Sequence, residues 1–429
     1  MIYGFLILLF ILFCLGTPIV TSLIASAFSY GFFTGRFHFT GIIPERLFTG
    51  MTSFSMLAIP LFVLSAEIMN KSGITSSLVQ FSLIIMGKKK GGLAQVNTSV
   101  NVMFAALCGS AAASVSAIGK MLIPAMEENG YDREQATAVT VASAIIGTVI
   151  PPSILMIIYG FIMQVSVGAL FAGGILPGLF LGALLMLYNS YYARKNNIPV
   201  HKQKYSIRDF LLALKEASWA LATPVIILGS IFSGMATATE AAALTVLYTL
   251  IVGLFIKKSI KLSDIVPICI DAAKTTSQLL LLVGSAIAFS WVMGLSQIPA
   301  NLSRNIVAFF PNALSLFLIF NITMLILGMF VDATATVLIS GPIFVPALVA
   351  MGVHPVHIGI VFVVNLSIGA ITPPFGSCLF VGSRIGQVRF EALIKRVLPF
   401  LGIHLFSLLI ITYVPVLSLW LPRLLGLTN

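Results

Sequence analysis

Two elements with the spacing Gly-x-x-x-Pro-Pro carry the residue types that can do chemistry in this chain: Gly147-Thr-Val-Ile-Pro-Pro152 and Gly369-Ala-Ile-Thr-Pro-Pro374. Proline within a helix offers no N–H to the carbonyl four residues back, and its ring crowds that carbonyl. On helical spacing Pro151 and Pro152 release the carbonyls of Gly147 and Thr148. Pro373 and Pro374 release those of Gly369 and Ala370. Inside hydrocarbon an unpaired carbonyl is costly until protein, water or an ion satisfies it. The plainer alternative is a proline kink relieved by a neighbouring hydroxyl. A double proline at matching places in two halves favours a binding role.

Upstream of each element lies a small, hydroxyl-rich patch, Gly109-Ser-Ala-Ala-Ala-Ser-Val-Ser116 and Val331-Asp-Ala-Thr-Ala-Thr336. Hard cations take oxygen ligands, and hydroxyls, freed carbonyls and one carboxylate supply them. The arms flanking the first patch, residues 96–107 and 118–126, are short against about 30 Å of hydrocarbon. A re-entrant hairpin whose tip reaches mid-bilayer is expected, with its non-helical backbone buried or lining a cavity. The competing reading is small residues that let helices pack closely. Asp332 is an acid inside an apolar segment, which is a functional position by default; a structural hydrogen bond is its alternative. Glu67 and Glu240 lie near segment ends, where paired or solvated roles are expected. His354 and His357 flank Pro355 and read as loop residues. No H-E-x-x-H, G-x-S-x-G or Walker-type loop occurs. Any transport therefore draws on an ion gradient or another subunit.

These residues sit in an apolar frame. Of 429 residues 59% are hydrophobic and 9% charged, with a mean hydropathy of +1.07. A soluble domain carries about 25% charged residues, so most of this surface must face lipid. Residues 4–33, 47–69, 159–192, 217–233, 241–256, 279–295, 313–330 and 398–421 read as spans. The net charge of +11 sits in clusters between them, at Lys88-Lys89-Lys90, from Arg194 to Arg208, and at Lys257, Lys258 and Lys261. Basic residues are not interleaved with aromatics on one face, which excludes a nucleic-acid partner; they are cationic loops and bilayer anchors. Arg36 and Arg46 follow the first span and none precedes it, which predicts an outside N-terminus. That span lacks a charged leader region and reads as retained. Cys14, Cys108, Cys269 and Cys378 are scattered packing residues without metal-site spacing.

A shift of 222 positions carries Gly119 onto Gly341, Pro124 onto Pro346, Gly130 onto Gly352 and Gly147 onto Gly369. It also superposes the two proline pairs, Gly160 on Gly382, Ser110 on Asp332 and Ser114 on Thr336. Gly and Pro encode backbone shape, so the match is a structural repeat. Weaker echoes, Leu15–Val20 with Leu221–Ile226 and Ile43-Pro44 with Val266-Pro267, extend it upstream. The organisation predicted is a first repeat over 1–195 and a second over 217–429, joined by a polar linker over 196–216. The first repeat would hold a hairpin near 96–123 and a broken helix near 136–158. The second would hold them near 318–350 and 358–381. The fold class is an all-α polytopic membrane protein built of repeats, which secondary transporters commonly invert about an axis in the membrane plane.

The chain resembles the large membrane subunit of TRAP (tripartite ATP-independent periplasmic) transporters over essentially its whole length. The resemblance rests on Gly109-Ser-Ala-Ala-Ala-Ser with Ile123-Pro-Ala-Met126 and Gly130-Tyr131, and on Ile150-Pro-Pro-Ser-Ile154 with Tyr159-Gly160. In the second half it rests on Thr239-Glu-Ala-Ala-Ala243, Asp332-Ala-Thr334 and Thr372-Pro-Pro-Phe-Gly376. Ala238 stands where the family usually has a proline. The resemblance implies an elevator-type fold, in which hairpins and broken helices form a transport domain moving against a scaffold. It implies Na+ coupling, a small four-helix membrane subunit, a periplasmic substrate-binding protein, and a bacterial inner-membrane location. It implies that Ser110, Ser114, Gly147 and Thr148 line one sodium site. Asp332, Thr334, Thr336, Gly369 and Thr372 would line its counterpart, with Ser110, Ser153 and Asp332 near substrate. Family substrates are organic acids, and the sequence looks closest to the sialic-acid branch, with C4-dicarboxylates the other class. A stand-alone sodium/dicarboxylate symporter is the main competing reading. A channel, an intramembrane enzyme and a non-transporting scaffold stand behind it.

Overall fold

The computed structural model describes residues 3–35, 37–87, 91–199, 205–310 and 312–428. The cluster at 88–90, Arg36 and linker residues 200–204 lie outside the described residues. Every regular element among them is helical. The first half opens with α1 (Gly4–Cys14), α2 (Ile19–Thr34), α3 (Ile42–Thr52), α4 (Ala58–Lys71) and α5 (Ile74–Met86). It continues with α6 (Gly92–Cys108), α7 (Ala111–Glu128), α8 (Arg133–Ala144), α9 (Ile146–Val149), α10 (Ile154–Met163) and α11 (Val167–Lys195). The second half opens with α12 (Ile207–Phe232), α13 (Ala238–Ile251), α14 (Ile265–Ser296) and α15 (Ile298–Phe309). It closes with α16 (Ala313–Phe330), α17 (Ala333–Ala350), α18 (Pro355–Gly369), α19 (Ser377–Gly386), α20 (Phe390–Tyr413) and α21 (Val416–Leu424). Among the described residues nine helical stretches are long and apolar enough to cross a membrane. The chain is a polytopic all-α membrane protein.

Several elements differ from the sequence expectations. Residues 4–33 are not one span. Gly16 turns the chain at φ +72°, Pro18 cannot donate to a continuing helix, and α2 folds back along α1. Ser26 Oγ donates to the Phe5 carbonyl at 2.6 Å, and the Phe5 ring meets Tyr30 edge-on at 5.4 Å. The expected span over 47–69 is likewise interrupted, by extended Ser53 and a short 3-10 turn at Phe54–Leu57. The second half begins at Ile207, within the supposed linker, because Ser206 and Asp209 form a reciprocal capping box. The upstream echo is not shared in backbone: Thr17-Pro18 lies between helices, whereas Pro224 lies inside α12. His357 is no loop residue. It is buried in α18, bonded to Ser418 Oγ at 2.7 Å and the Thr412 carbonyl at 3.0 Å. Glu240 closes the capping box that starts α13. Cys14 and Cys269 are exposed and Cys378 is buried.

The helices sort into two packed groups. In one, α14 packs on α2, α3 and α4, and α13 packs on α4 and α12. The other contains α6–α11 and α16–α21, and in it the halves exchange partners: α10 packs on α17, and α19 packs on α7. The groups meet where α6 packs on α5 and where α17 packs on α14 and α15.

The exchange fixes the direction of the repeats. The start of α8 lies at the end of α19, where Arg133 Nε donates to the Gly386 carbonyl at 2.7 Å. The start of α18 lies at the end of α10, where Tyr159 Oη donates to the Pro355 carbonyl at 2.9 Å. Between these ends the Thr148 and Ser367 hydroxyls hydrogen-bond to each other. The two broken helices therefore run antiparallel and cross at their breaks. Related by the 222-residue shift, the halves are inverted repeats. Tyr159→Phe deletes the hydrogen bond to the half-buried Pro355 carbonyl at one end of this crossing, at about 1 kcal/mol. A lower melting temperature in detergent with unchanged helix content is expected.

Candidate functional site

Each hairpin tip is a two-residue turn that ends at the N-cap position of the second arm, and only the Asp332 side chain makes a capping bond. Gly109 ends α6 at φ +60°, and extended Ser110 is the N-cap of α7. In the second half Asp332 is the N-cap of α17, its Oδ1 accepting from Thr334 N at 2.9 Å, a favoured capping arrangement. The local bonds repeat. Ser114 N and Oγ both donate to the Ser110 carbonyl at 3.1 Å, and Thr336 N and Oγ1 both donate to the Asp332 carbonyl at 3.0 Å. Ser110 with Asp332, and Ser114 with Thr336, hold equivalent places, as the shift predicts. The arms are longer than expected, reaching Gly92 and Glu128.

Each tip abuts a break. A Cβ placed on Gly109 would lie 2.7 Å from the Pro152 carbonyl oxygen. One on Gly147 would lie 3.1 Å from Ser114 Oγ, and one on Gly369 would lie 2.8 Å from Gly328 Cα. Only glycine lets the broken helix lie this close to the hairpin arm. Ser110, Ser114, Gly147 and Thr148 are thereby brought into one junction. In the second half Asp332, Thr334 and Thr336 sit on the tip and Gly369 and Thr372 on the break, with Phe330 and Phe375 in ring contact at 5.4 Å. The Pro151-Pro152 and Pro373-Pro374 peptide bonds are cis.

The expectation of four freed carbonyls needs correcting. The Thr148 carbonyl accepts the Ser153 hydroxyl. That of Gly369 accepts from Thr372 N at 3.0 Å, and that of Ala370 from Cys378 N at 2.9 Å. Ser153 and Cys378 reach back from beyond the proline pairs, whereas Thr372 N tightens the last turn just before Pro373. Only the Gly147 carbonyl has no donor among the described residues.

Accessibility separates the remaining residues. Ser153 is fully buried, and its Oγ also accepts from Met156 N at 3.5 Å as the cap of α10. It serves the break and presents no surface to a substrate. Ser114, Thr148, Thr334 and Thr336 are buried, Ser110 and Thr372 half-buried, and Asp332 exposed. Thr372 Oγ1 donates to the Ile368 carbonyl at 2.7 Å. The first break is buried throughout, whereas Pro374 and Phe375 of the second are exposed. Among the described residues no group of three His, Cys, Asp or Glu is gathered. The junctions offer neutral oxygens and one carboxylate, a donor set suited to a hard cation.

Sequence reasoning missed the buried polar clasps that hold each junction. Thr98 and Ser143 hydroxyls bond at 2.9 Å, and Asn189 Nδ2 donates to Thr98 Oγ1 at 3.0 Å. In the second half Asn321 Nδ2 donates to Thr412 Oγ1 at 3.0 Å, and Asn365 Nδ2 to Asn321 Oδ1 at 2.9 Å. Each clasp ties a hairpin arm to a broken helix and to the long helix after it. The shift superposes Ser143 on Asn365, and that was the signal available.

Inverted repeats whose capped hairpin tips meet crossed, broken helices inside an apolar helical body define a membrane transport permease. The chain matches the family described as "Tripartite ATP-independent periplasmic transporter, DctM component" over residues 6–417, and it belongs to that family. It is 36% identical over 425 residues to the sialic acid TRAP transporter large permease protein SiaM of Vibrio cholerae, covering 99% of this chain and 98% of that one. It is 37% identical over 383 residues to the C4-dicarboxylate TRAP transporter large permease protein DctM of Pseudomonas aeruginosa, covering 89% and 90%. It spans 60% of the longer isethionate TRAP transporter permease protein DctMQ of Oleidesulfovibrio alaskensis, at 37% identity over 378 residues and 88% of this chain. Among solved structures the fold is similar to the YdaH transporter of Alcanivorax borkumensis, with TM-score 0.60 and 18% identity over 89% of this chain and 87% of that one. The chain is thus a large permease subunit and not an enzyme.

Proposed function

We propose that this permease imports an organic acid, of the sialic-acid or C4-dicarboxylate class, across the bacterial inner membrane by sodium-coupled, elevator-type movement. The observation that carries the reading is the pair of matched tip-on-break junctions, with Ser110 and Asp332 accessible at equivalent caps. The names of the relatives at full length support the substrate class. The free Gly147 carbonyl beside Ser110, Ser114 and Thr148 fits a sodium ion, and these four would hold it. Asp332, Thr334, Thr336, Gly369 and Thr372 would form the second set. Bound sodium supplies positive charge that lessens the cost of a carboxylate at mid-bilayer. Ser110 and Asp332 orient the substrate from the two tips. The group built of α6–α11 and α16–α21 is the moving domain, and the group around α14 the scaffold. A small four-helix membrane subunit and a periplasmic binding protein complete the system.

Charge orients the molecule. Lys120, Arg133, Arg384 and Arg396 gather at the start of α8 with Arg194 and Lys195, and Lys257 pairs with Glu216 of α12 at 3.1 Å. Among the described residues the Lys and Arg at the opposite end are Arg46, Arg304 and Arg423. The basic end is cytoplasmic by the positive-inside rule. α14 starts at that end, and Phe5 packs near its other end against Phe289, 5.9 Å between rings. The N-terminus is accordingly periplasmic.

The test is uptake of radiolabelled sialic acid, and separately succinate, into proteoliposomes under an inward sodium gradient, with and without both partner proteins. Uptake that needs sodium and both partners is expected. Uptake by the chain alone would replace this reading with a stand-alone symporter, and sodium-independent uptake would sink the coupling.

A further inference from the structure

A cavity of about 590 Å³ opens at the basic end between α7 and α19, lined by Ser116, Lys120, Val381, Arg384, Ile385 and Gln387. Its two cations are set apart from their neighbours. Arg133 pairs with Glu127 and Arg396 with Asp132, each at 2.8 Å. Among the described residues neither Lys120 nor Arg384 makes an ion pair, and no acid lines the cavity. Two exposed cations on one cavity repel each other until an anion enters. Ser116 and Gln387 add hydrogen-bond donors, and Val381 with Ile385 forms an apolar wall.

The cavity is also placed on a route. Lys120 lies about 15 Å along α7 from the Ser110 cap at 1.5 Å per residue, with Ser116 between them. α19 begins just beyond the exposed second break. The inverted repeat supplies an internal comparison. The shift that superposes Gly119 on Gly341 carries Lys120 onto Pro342, Arg384 onto Ile162 and Ser116 onto Leu338. At that equivalent place α10 and α17 pack through apolar contacts, with a Cβ on Gly341 3.1 Å from Met163 Cε. The basic pair exists on one side only.

We propose that this cavity is an anion-binding vestibule at the basic end, in which Lys120 and Arg384 receive the substrate carboxylate as it leaves the tips. The proposal rests on the organic-acid reading above. A lipid phosphate offers similar charge to the same residues, so the test separates the two sources.

In the complete reconstituted complex, the rate of Lys120 acetylation by an amine-reactive reagent is followed by mass spectrometry. Sialic acid, succinate and inorganic phosphate are added in turn, in neutral-lipid and anionic-lipid membranes. One of the two organic acids is expected to slow labelling of Lys120 several-fold, but not that of Lys395, and R384Q should remove the protection. No protection by either acid would overturn the proposal. Full protection by phosphate or anionic lipid, with no added effect of the acids, would reassign the cavity to headgroups and overturn it too. In exchange assays K120Q and R384Q should raise half-saturation from the basic side about fivefold more than from the opposite side, and K120R should restore it. Equal shifts on both sides would count against the vestibule. Labelling needs no turnover. Protection without uptake would sink the transport reading alone, and uptake without protection the vestibule alone.

Discussion

Asp332→Ala is expected to lower sodium-dependent uptake by roughly 10- to 150-fold, the range that corresponds to losing a charge-assisted contact of about 1.5–3 kcal/mol. The same change removes the α17 cap, which costs about 1 kcal/mol of stability. Asp332→Asn separates the two effects. Asparagine caps a helix as well as aspartate does, so the bond to Thr334 N survives while the negative charge disappears. Uptake by Asp332→Asn should fall nearly as far as by Asp332→Ala, with the melting temperature close to that of the parent. Proteoliposome uptake and thermal unfolding in detergent provide the two measurements. Parent-like uptake by Asp332→Asn would reduce Asp332 to a cap and remove it from the ion and substrate sites.

Gly369→Ala should be strongly damaging, because the new methyl meets three backbone atoms. The added Cβ would fall 2.8 Å from both the Cα and the carbonyl carbon of Gly328, and backbone atoms cannot rotate aside. Overpacking of this kind costs about 1–3 kcal/mol, and relief requires the hairpin arm to move off the break. Uptake should drop by about 5- to 150-fold, by the same conversion, and the melting temperature should fall. Gly402→Ala is the matched control. It lies on exposed α20 surface with nothing within 4 Å of the new Cβ, and alanine favours helix by about 1 kcal/mol. It should leave the melting temperature unchanged or raise it. Normal stability and uptake in Gly369→Ala would mean that the junction is looser than its geometry states.

Much of this arrangement was legible because Gly and Pro report backbone shape directly. Gly147 and Gly369, the two proline pairs and the two tip caps were paired by a single shift, and they do hold equivalent places. The fate of the freed carbonyls was not legible. Cys378 N reaches the Ala370 carbonyl only because the chain turns sharply after Pro374, and nothing in residue type announces that turn. The hairpin of α1 and α2 was hidden for a different reason. Its turn, Gly16-Thr17-Pro18, is plainly written, but unbroken hydrophobicity on both sides outweighed it as a signal. The antiparallel crossing depends on contacts such as Arg133 with Gly386, which no local pattern encodes. His357 was misread because a histidine beside a proline suggests a loop, whereas its two ring nitrogens are satisfied by α20 and α21.

The exchange of packing between the halves also has a temporal side. The hairpin of α6 and α7 enters the membrane early in synthesis, yet its outer face is covered by α19, and Arg133 finds its carbonyl 253 residues later. At bacterial elongation rates of about 5–20 residues per second, that interval is on the order of tens of seconds. Throughout it, the nascent first half must keep a half-covered helix in lipid without its final neighbour. A chain cut before Gly386 would leave the ribosome in that state, as a ready target for membrane quality control.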